Sequence, residues 1–259
     1  MATFLFDQII FGPVNSRRLG VSLGVNLLPT TSKFCNFNCI YCECGWTPGK
    51  GQMKSDFHSV EDVIKRLEIF LKDYRVDNKI IDTITFAGNG EPTLHPKFEE
   101  MIDRTILLRD LYYPKAAISV LSNATMLQSE KVVRALKKVN NKILKLDSAV
   151  EETALQMNQP LGKYSISKIE EQLGQFNHQF ILQTMFLKGD YNQKPIDNTT
   201  DQEVDAYLEL LDRIRPEKVM IYTIARDTPA ESLEKISTKK MNEIADRIRA
   251  LSIEVEVSL

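Results

Sequence analysis

Cys35, Cys39, Cys42 and Cys44 fall within ten residues of one another and are all the cysteines in a chain of 259 residues. The first three, separated by three and then two residues, can turn their thiolates from one short loop onto one metal centre. Iron-sulfur clusters are held by Cys thiolates, four for a complete set. If Cys35, Cys39 and Cys42 supply three, one iron keeps an open position, and the cluster can act as a reagent as well as an electron carrier. A zinc knuckle is the other chemistry such a loop serves. Zinc sites of that kind pair two short Cys or His clusters, whereas His58, His95 and His178 are scattered. Cys44 is then a neighbouring thiol, with a redox or substrate role as the alternative. Thiols this close cannot staple distant parts of a fold, so a reducing compartment and a metal suit them better than a disulfide framework.

The loop needs elements to hold it. Residues 21–28 carry the apolar, β-branched pattern of a strand that delivers the chain to Pro29 and the cysteines. Val60, Val63, Ile64, Leu67, Phe70 and Leu71 recur at helical spacing behind Ser59, which with Asp62 gives an N-terminal capping signal. A strand over 82–86 ends at Gly88-Asn89-Gly90-Glu91-Pro92, and a helix follows over about 96–111. The unit repeats. A strand over 117–121 ends at Ser122-Asn123 before a helix capped by Ser129, and one over 142–146 ends at Asp147-Ser148 before a helix carrying Ile166, Ile169 and Leu173. A strand over 180–187 precedes a helix with a Thr200/Glu203 capping box, and one over 219–222 precedes a helix from about Thr238. The tail 253–257 alternates like a half-exposed strand.

Six strands alternating with helices imply a parallel sheet with right-handed crossovers, and six units fall short of the eight of a closed barrel. The expected fold is α/β, an open, partial (β/α)6 barrel, with a doubly wound parallel sheet as the alternative. No low-complexity linker divides the chain, so 1–259 is expected to form one domain with a Gly/Pro-punctuated lead-in over 1–20. The active face of such folds is the carboxyl end of the strands. There the cysteine loop, Gly88 to Pro92, Ser122 and Asn123, Asp147 and Ser148, Lys188 and Gly189, and Tyr222 with Arg226 surround one mouth.

Lys+Arg of 33 against Asp+Glu of 35 gives a net charge of -2, so no global basic field recruits nucleic acid. Hydrophobic residues at 43% and charged residues at 26% exclude disordered and fibrous classes. The stretch Met1 to Asp7 has no basic region before its apolar residues, and no apolar run approaches a membrane span. A cytoplasmic protein without membrane association is expected.

Cys35-Asn36-Phe37-Asn38-Cys39-Ile40-Tyr41-Cys42, after a strand and before a long helix, with Gly-Asn-Gly-Glu-Pro at the end of the next strand, resembles the radical S-adenosylmethionine (radical SAM) superfamily over roughly residues 21–222. The resemblance implies a 4Fe-4S cluster on Cys35, Cys39 and Cys42, the catalytic and metal-binding residues. It implies that the open iron chelates the amino and carboxylate groups of S-adenosylmethionine, and that one electron cleaves this cofactor to methionine and a 5'-deoxyadenosyl radical, which abstracts hydrogen from a substrate. Further cofactor contacts are implied. Tyr41 would lie beside the adenine, where a flat ring offers apolar area. Gly88, Asn89, Gly90 and Glu91 would approach the methionyl amine, glycine letting the backbone come close. Ser122 and Asn123 would bind ribose or carboxylate, Asp147 would belong to the same cofactor set, Tyr222 and its neighbours would offer backbone to adenine, and Arg226 would pair with a carboxylate. An electron donor of flavodoxin or ferredoxin type, a monomeric state, and a small molecule, peptide or RNA as substrate complete the implied picture.

More narrowly, Phe11-Gly12-Pro13-Val14-Asn15-Ser16-Arg17-Arg18-Leu19-Gly20, Leu146-Asp147-Ser148, Met157-Asn158-Gln159-Pro160 and Tyr222-Thr223-Ile224-Ala225-Arg226 resemble stand-alone proteins related to the tRNA wyosine-base synthetases. The extra N-terminal cysteines and basic RNA surface expected of the tRNA enzymes are absent, so tRNA-base modification of wyosine type is an alternative. A non-catalytic protein with a structural metal completed by Cys44 is another. His95 is expected as a polar residue at a helix start. Arg17 and Arg18 either bind a phosphate or carboxylate or pair with surface acids. Lys145 is expected to point outward from its strand, away from any Schiff-base chemistry.

Overall fold

The structure, a computed structural model, describes residues 4–49, 52–53 and 55–259. Met1 to Thr3, part of the N-terminal stretch read above, lie outside them. β1 (Ile10–Ser16) and β2 (Gly20–Val25) form an antiparallel hairpin. α1 (Val60–Val76) follows, with Ser59 Oγ accepting from the Asp62 N–H as its capping signal predicts. From β2 onward the main sheet is parallel, through β3 (Thr83–Phe86), β4 (Ala117–Ser122), β5 (Asn141–Lys145) and β6 (Ile181–Tyr191). The crossovers are α2 (Phe98–Tyr112), α3 (Glu130–Lys138), and then α4 (Glu151–Asn158) with α5 (Ile166–Leu173). β7 (Lys194–Asp197) folds back antiparallel on the outer part of β6. α6 (Asp201–Ile214) leads to β8 (Lys218–Thr223), which pairs with β6 in parallel. β9 (Leu233–Lys235) also lies antiparallel on β6, and α7 (Thr238–Arg249) leads to β10 (Glu254–Ser258), parallel to β8.

The strand order β1-β2-β3-β4-β5-β6-β8-β10 follows the sequence. A doubly wound sheet starts in its middle and reverses at a switch point, so sequential order selects the partial barrel. The six predicted parallel strands are present, and the alternating tail becomes a seventh. β1 is hidden in the sequence because Gly12, Pro13 and Asn15 interrupt it. Pro13 has no N–H for a ladder and is tolerated on an edge strand. Among the described residues nothing pairs β1 with β10, so the barrel is open there, with Arg17 Nη1 donating to the Leu259 carbonyl across the gap.

Successive strand side chains point to opposite faces. Leu23, Val25, Ile84, Phe86, Ile118, Val120, Leu144 and Leu146 turn outward into the helix layer and are fully buried. Inside, one half of the barrel is lined with hydroxyls, Ser22 bonding Thr85 and Thr83 bonding Ser119, each at 2.8 Å. The other half has an apolar floor of Ile143, Ile181 and Met220. The same alternation overturns the outward orientation expected for Lys145. Leu144 and Leu146 occupy the helix side, so Lys145 faces inward beyond Ile143 and its side chain is only 12% exposed.

Two capping expectations are also refined. Ser129 sits at the N-cap of α3 without a side-chain capping bond. Thr200 Oγ1 accepts from the Glu203 N–H, but the buried Glu203 carboxylate accepts from Ser148 and Thr153 instead of closing the box. No helix among the described residues is long and apolar enough to cross a membrane.

Candidate active site

The cysteine loop leaves β2 and is braced by backbone on both sides. The Phe34 N–H donates to Asn89 O at 2.8 Å, and the Glu91 N–H donates to Phe34 O at 3.1 Å. Opposite, the Asn38 and Ile40 N–H groups donate to Asn158 O and Met157 O, each at 3.0 Å. So held, Cys35, Cys39 and Cys42 share an apolar cluster with Phe37, Ile40 and Tyr41. All four thiols are free. Cys44 directs its thiol at the Gly88 carbonyl, 3.6 Å away. A hydrogen bond from Cys44 lowers Cys42 to about 6, whereas burial pushes Cys39 up to about 12 and raises Cys35 too.

Two lysines, Lys33 buried and Lys145 largely enclosed, stand behind these thiols. Lys33 donates to Gly45 O at 2.9 Å; burial alone lowers its pKa, but Cys42, Cys35 and Cys39 together hold it above the ordinary lysine value. Lys145 lies on the Cys39 side; burial again opposes its charge, and Asp147, Tyr222 and Cys39 more than restore it. Among the described residues no three His, Cys, Asp or Glu side chains close round a single ion, as a zinc site needs. Three thiolates from one loop, with cations behind them to balance an anionic cluster, fit an iron-sulfur centre.

The β3 loop supplies one wall. Gly90 has a φ of +137°, and a Cβ there would stand 1.9 Å from Phe34 O, so glycine is required by the approach of the cysteine loop itself. The Asn89 side chain is fully buried; Oδ1 accepts from the Phe6 N–H at 2.8 Å, and Nδ2 donates to Phe6 O and Pro29 O, each at 2.9 Å. That side chain thus binds the N-terminal segment and the Pro29 carbonyl. Glu91 is 2% exposed. Its Oε1 accepts from Thr93 N at 3.1 Å, Thr93 Oγ1 at 2.5 Å and Ser122 Oγ at 2.9 Å, and its Oε2 from Asn123 N at 2.6 Å. Burial raises its pKa against the pull of these donors. Asn123 Nδ2 donates to Asn36 Oδ1 at 2.8 Å and reaches Cys35 Sγ at 3.9 Å. Glu91, Ser122 and Asn123, three expected site residues, thus form one unit behind the first cysteine.

The opposite wall is built on Asp147, 1% exposed. Its Oδ1 accepts from the Met185 N–H at 3.0 Å, and its Oδ2 from Asn158 Nδ2 at 2.6 Å and from the Tyr41 hydroxyl. Lys145 Nζ is 2.5 Å from the same oxygen, an ion pair without hydrogen-bond alignment, and 4.4 Å over the Tyr41 ring. Asn158 Nδ2 also reaches Cys39 Sγ at 3.7 Å. Tyr41 and Asp147 are brought together as expected site residues, and Lys145 and Asn158 are additions. Lys145 and Asp147 are two positions apart at a strand end, which places both on one face. Asn158 ends α4, beside Gln159 in the left-handed conformation.

Arg226 pairs with Glu43 at 2.6 Å, on the surface. Tyr222 is half-buried on β8, with the Arg18 guanidinium 5.0 Å over its ring. His95 is buried at the start of the α2 segment as expected, its Nδ1 accepting from the Lys97 N–H and its Nε2 meeting His58 O at 3.0 Å. A cavity of about 450 Å3 runs from Tyr41 and Met185, beside the cysteine loop, to the open side of the barrel.

The family model of the radical SAM superfamily matches residues 30–173. A protein of Brachyspira hyodysenteriae (strain ATCC 49526 / WA1) named GTPase Obg is 30% identical over 254 residues, 96% of this chain and 35% of that protein. This chain has no G-x-x-x-x-G-K-[ST] phosphate loop. A UPF0026 protein of Methanocaldococcus jannaschii (strain ATCC 43067 / DSM 2661 / JAL-1 / JCM 10045 / NBRC 100440) is 32% identical over 232 residues, 88% of this chain and 66% of that protein. The chain therefore spans about a third of the first relative and just under two thirds of the second. The crystal structure of a radical SAM methyltransferase from Sphaerobacter thermophilus matches with a TM-score of 0.67 at 14% identity, over 92% of this chain and 65% of that one, a likeness of fold.

Proposed function

This chain belongs to the radical SAM superfamily, and from that premise we propose that it generates a 5'-deoxyadenosyl radical to abstract hydrogen from a substrate admitted through the open side of the barrel. It is an enzyme whose cofactors are a 4Fe-4S cluster and S-adenosylmethionine. When bound, the cluster supplies the electron that cleaves the cofactor. The observation that carries the reading is the cysteine loop, braced by Asn89 and Glu91 on one side and Met157 and Asn158 on the other, with three thiols in one enclosed cluster.

In this reading Cys35, Cys39 and Cys42 hold the cluster, and Lys33 and Lys145 balance its charge. Asn123 and Asn158 aim amide N–H groups at the sulfurs of Cys35 and Cys39, the kind of contact that sets a cluster's potential. The backbone of 88–91, Ser122, Asn123 and Tyr222 face the cofactor, Tyr41 packs beside it, and Asp147 and Glu91 position their neighbours. Arg226 acts through Glu43, pinning the far end of the loop. The reaction needs a reductant, which we assign to a flavodoxin or ferredoxin type donor meeting a monomer in the cytoplasm, where four free thiols stay reduced.

Anaerobic reconstitution should load about four irons per chain, and dithionite should then release 5'-deoxyadenosine. Cys39→Ala should lose both iron and release. A fully loaded protein that never cleaves S-adenosylmethionine overturns the reading.

A further inference from the structure

The cavity of about 450 Å3 is lined by four charged residues, Arg17, Arg18, Glu43 and Arg226. Glu43 and Arg226 neutralise each other at 2.6 Å. Arg18 meets no side-chain carboxylate within salt-bridge distance among the described residues, which sets it apart from Arg17, whose guanidinium is engaged at the rim. Arg17 donates to the Leu259 carbonyl at the rim. Arg18 Nη1 is enclosed and has no hydrogen-bond partner, and its guanidinium is held over the Tyr222 ring at 5.0 Å. An enclosed N–H without an acceptor is costly, and a guanidinium fork matches carboxylate and phosphate oxygens two at a time. On its other side Arg18 borders a smaller opening at the barrel floor beside Glu217 and Glu254, neither of which pairs with it; Glu254 is held by Lys218 at 3.1 Å.

We propose that Arg18 is the anchor for an oxyanion, carboxylate or phosphate, of a small substrate that fills this cavity. The proposal rests on the radical SAM reading for the reaction and on the cavity alone for binding. Arg18 lies at the deep end, next to Leu19, and Tyr41 lies at the cysteine-loop end. A substrate held by its oxyanion at Arg18 therefore presents its opposite end to the cofactors. The walls between are Phe11, stacked on Phe6 with ring centroids 3.6 Å apart, and the hydroxyls of Ser22 and Thr85. Such walls suit a short, flat body carrying one charged end.

The test is calorimetric titration of the reconstituted holoenzyme with S-adenosylmethionine, using benzoate, phenyl phosphate and uncharged benzamide as probes. At least one anion should bind about tenfold or more tightly than benzamide, and the stronger of the two names the oxyanion. Arg18→Gln should remove that preference, and Arg18→Lys should keep part of it, in proteins whose thermal melts match the parent. The proposal is overturned if benzamide binds as well as both anions, if neither anion binds, or if Arg18→Gln leaves anion binding intact. It is overturned too if Arg18→Gln abolishes binding of S-adenosylmethionine, since Arg18 then serves the cofactor. These readouts need no turnover, so a failure of cofactor cleavage counts against the radical reading and leaves the anion result standing.

Discussion

Two carboxylates are almost fully enclosed on opposite walls of the mouth, Glu91 past β3 and Asp147 past β5, and they are compensated differently. Glu91 is surrounded by neutral donors, two backbone N–H groups and two hydroxyls. Asp147 takes a backbone N–H, an amide and a phenol, and also a lysine ammonium at 2.5 Å. Each wall then extends an asparagine to a ligand sulfur, Asn123 to Cys35 and Asn158 to Cys39. The two ends of the cluster loop are therefore held by similar arms on dissimilar foundations. The Glu91 foundation depends on local chain geometry that survives a change of charge. The Asp147 foundation contains an enclosed cation with no other carboxylate in salt-bridge reach among the described residues.

The largest effect should come from breaking that ion pair. Asp147→Asn leaves Lys145 enclosed without its carboxylate, with only Tyr222 and Cys39 to support its charge, and breaking one side of a buried pair costs about 3–5 kcal/mol. Urea unfolding should show this loss, and Lys145→Met combined with Asp147→Asn should recover much of it, since the two residues act as a unit. Glu91→Gln removes no counter-ion. Its amide NH2 opposes at least one of the four donors, and an unsatisfied buried donor costs about 1–3 kcal/mol. If Glu91→Gln destabilises more than Asp147→Asn, the contrast between the walls is wrong.

A smaller effect separates the walls by pH. Burial lowers His95, and also His58, from 6.5 on the Glu91 wall. As pH falls below about 6.5 the unfolded chain takes these protons first, so stability should be lost toward acid. Glu91, raised from 4.5 by burial, has the opposite sign. Its folded form holds a proton longer, so its contribution declines as pH rises above 4.5. The Lys145 pair, raised from 10.5, is fully present throughout this range and is lost only in strong alkali. Between about pH 5 and 7 the histidines lower the urea midpoint toward acid while Glu91 raises it, so on going toward acid His95→Asn should lose less stability than the parent, or gain more. The slope should be the same in Lys145→Met with Asp147→Asn as in the parent.

The walls also differ in how much of them the sequence discloses. The cysteine spacing, the Gly-Asn-Gly-Glu-Pro loop and the strand-helix alternation are local patterns, and each lands where its pattern places it. Ser122 and Asn123 are found because they end a strand. Glu91 is found as part of its loop, although its partners Thr93 and Ser122 come only with the fold. Lys145 is mistaken because a lysine in a strand suggests solvent. The correct signal was the flanking pair Leu144 and Leu146, which claims the helix side and sends Lys145 inward. Asn158 lies eleven residues beyond Asp147, across α4, and its three side-chain contacts depend on how that helix returns to the mouth. Arg18 sits in a Gly/Pro-broken segment whose strand is visible only once it pairs with β2.

Cys44 provides the smallest expected effect, and a decisive one. Its thiol is turned to the Gly88 carbonyl on the Glu91 wall and to Cys42. A thiol is a weak donor, and replacing it should cost about 1 kcal/mol or less. Cys44→Ala should therefore load iron and release 5'-deoxyadenosine much as the parent does, while Cys42→Ala loses both. A fourth thiolate ligand would close the iron on which cofactor chemistry depends. If Cys44→Ala loses the metal as completely as Cys35→Ala, Cys44 is that fourth ligand, and the loop is a structural four-thiolate site that borrows support from both walls without needing a vacant position.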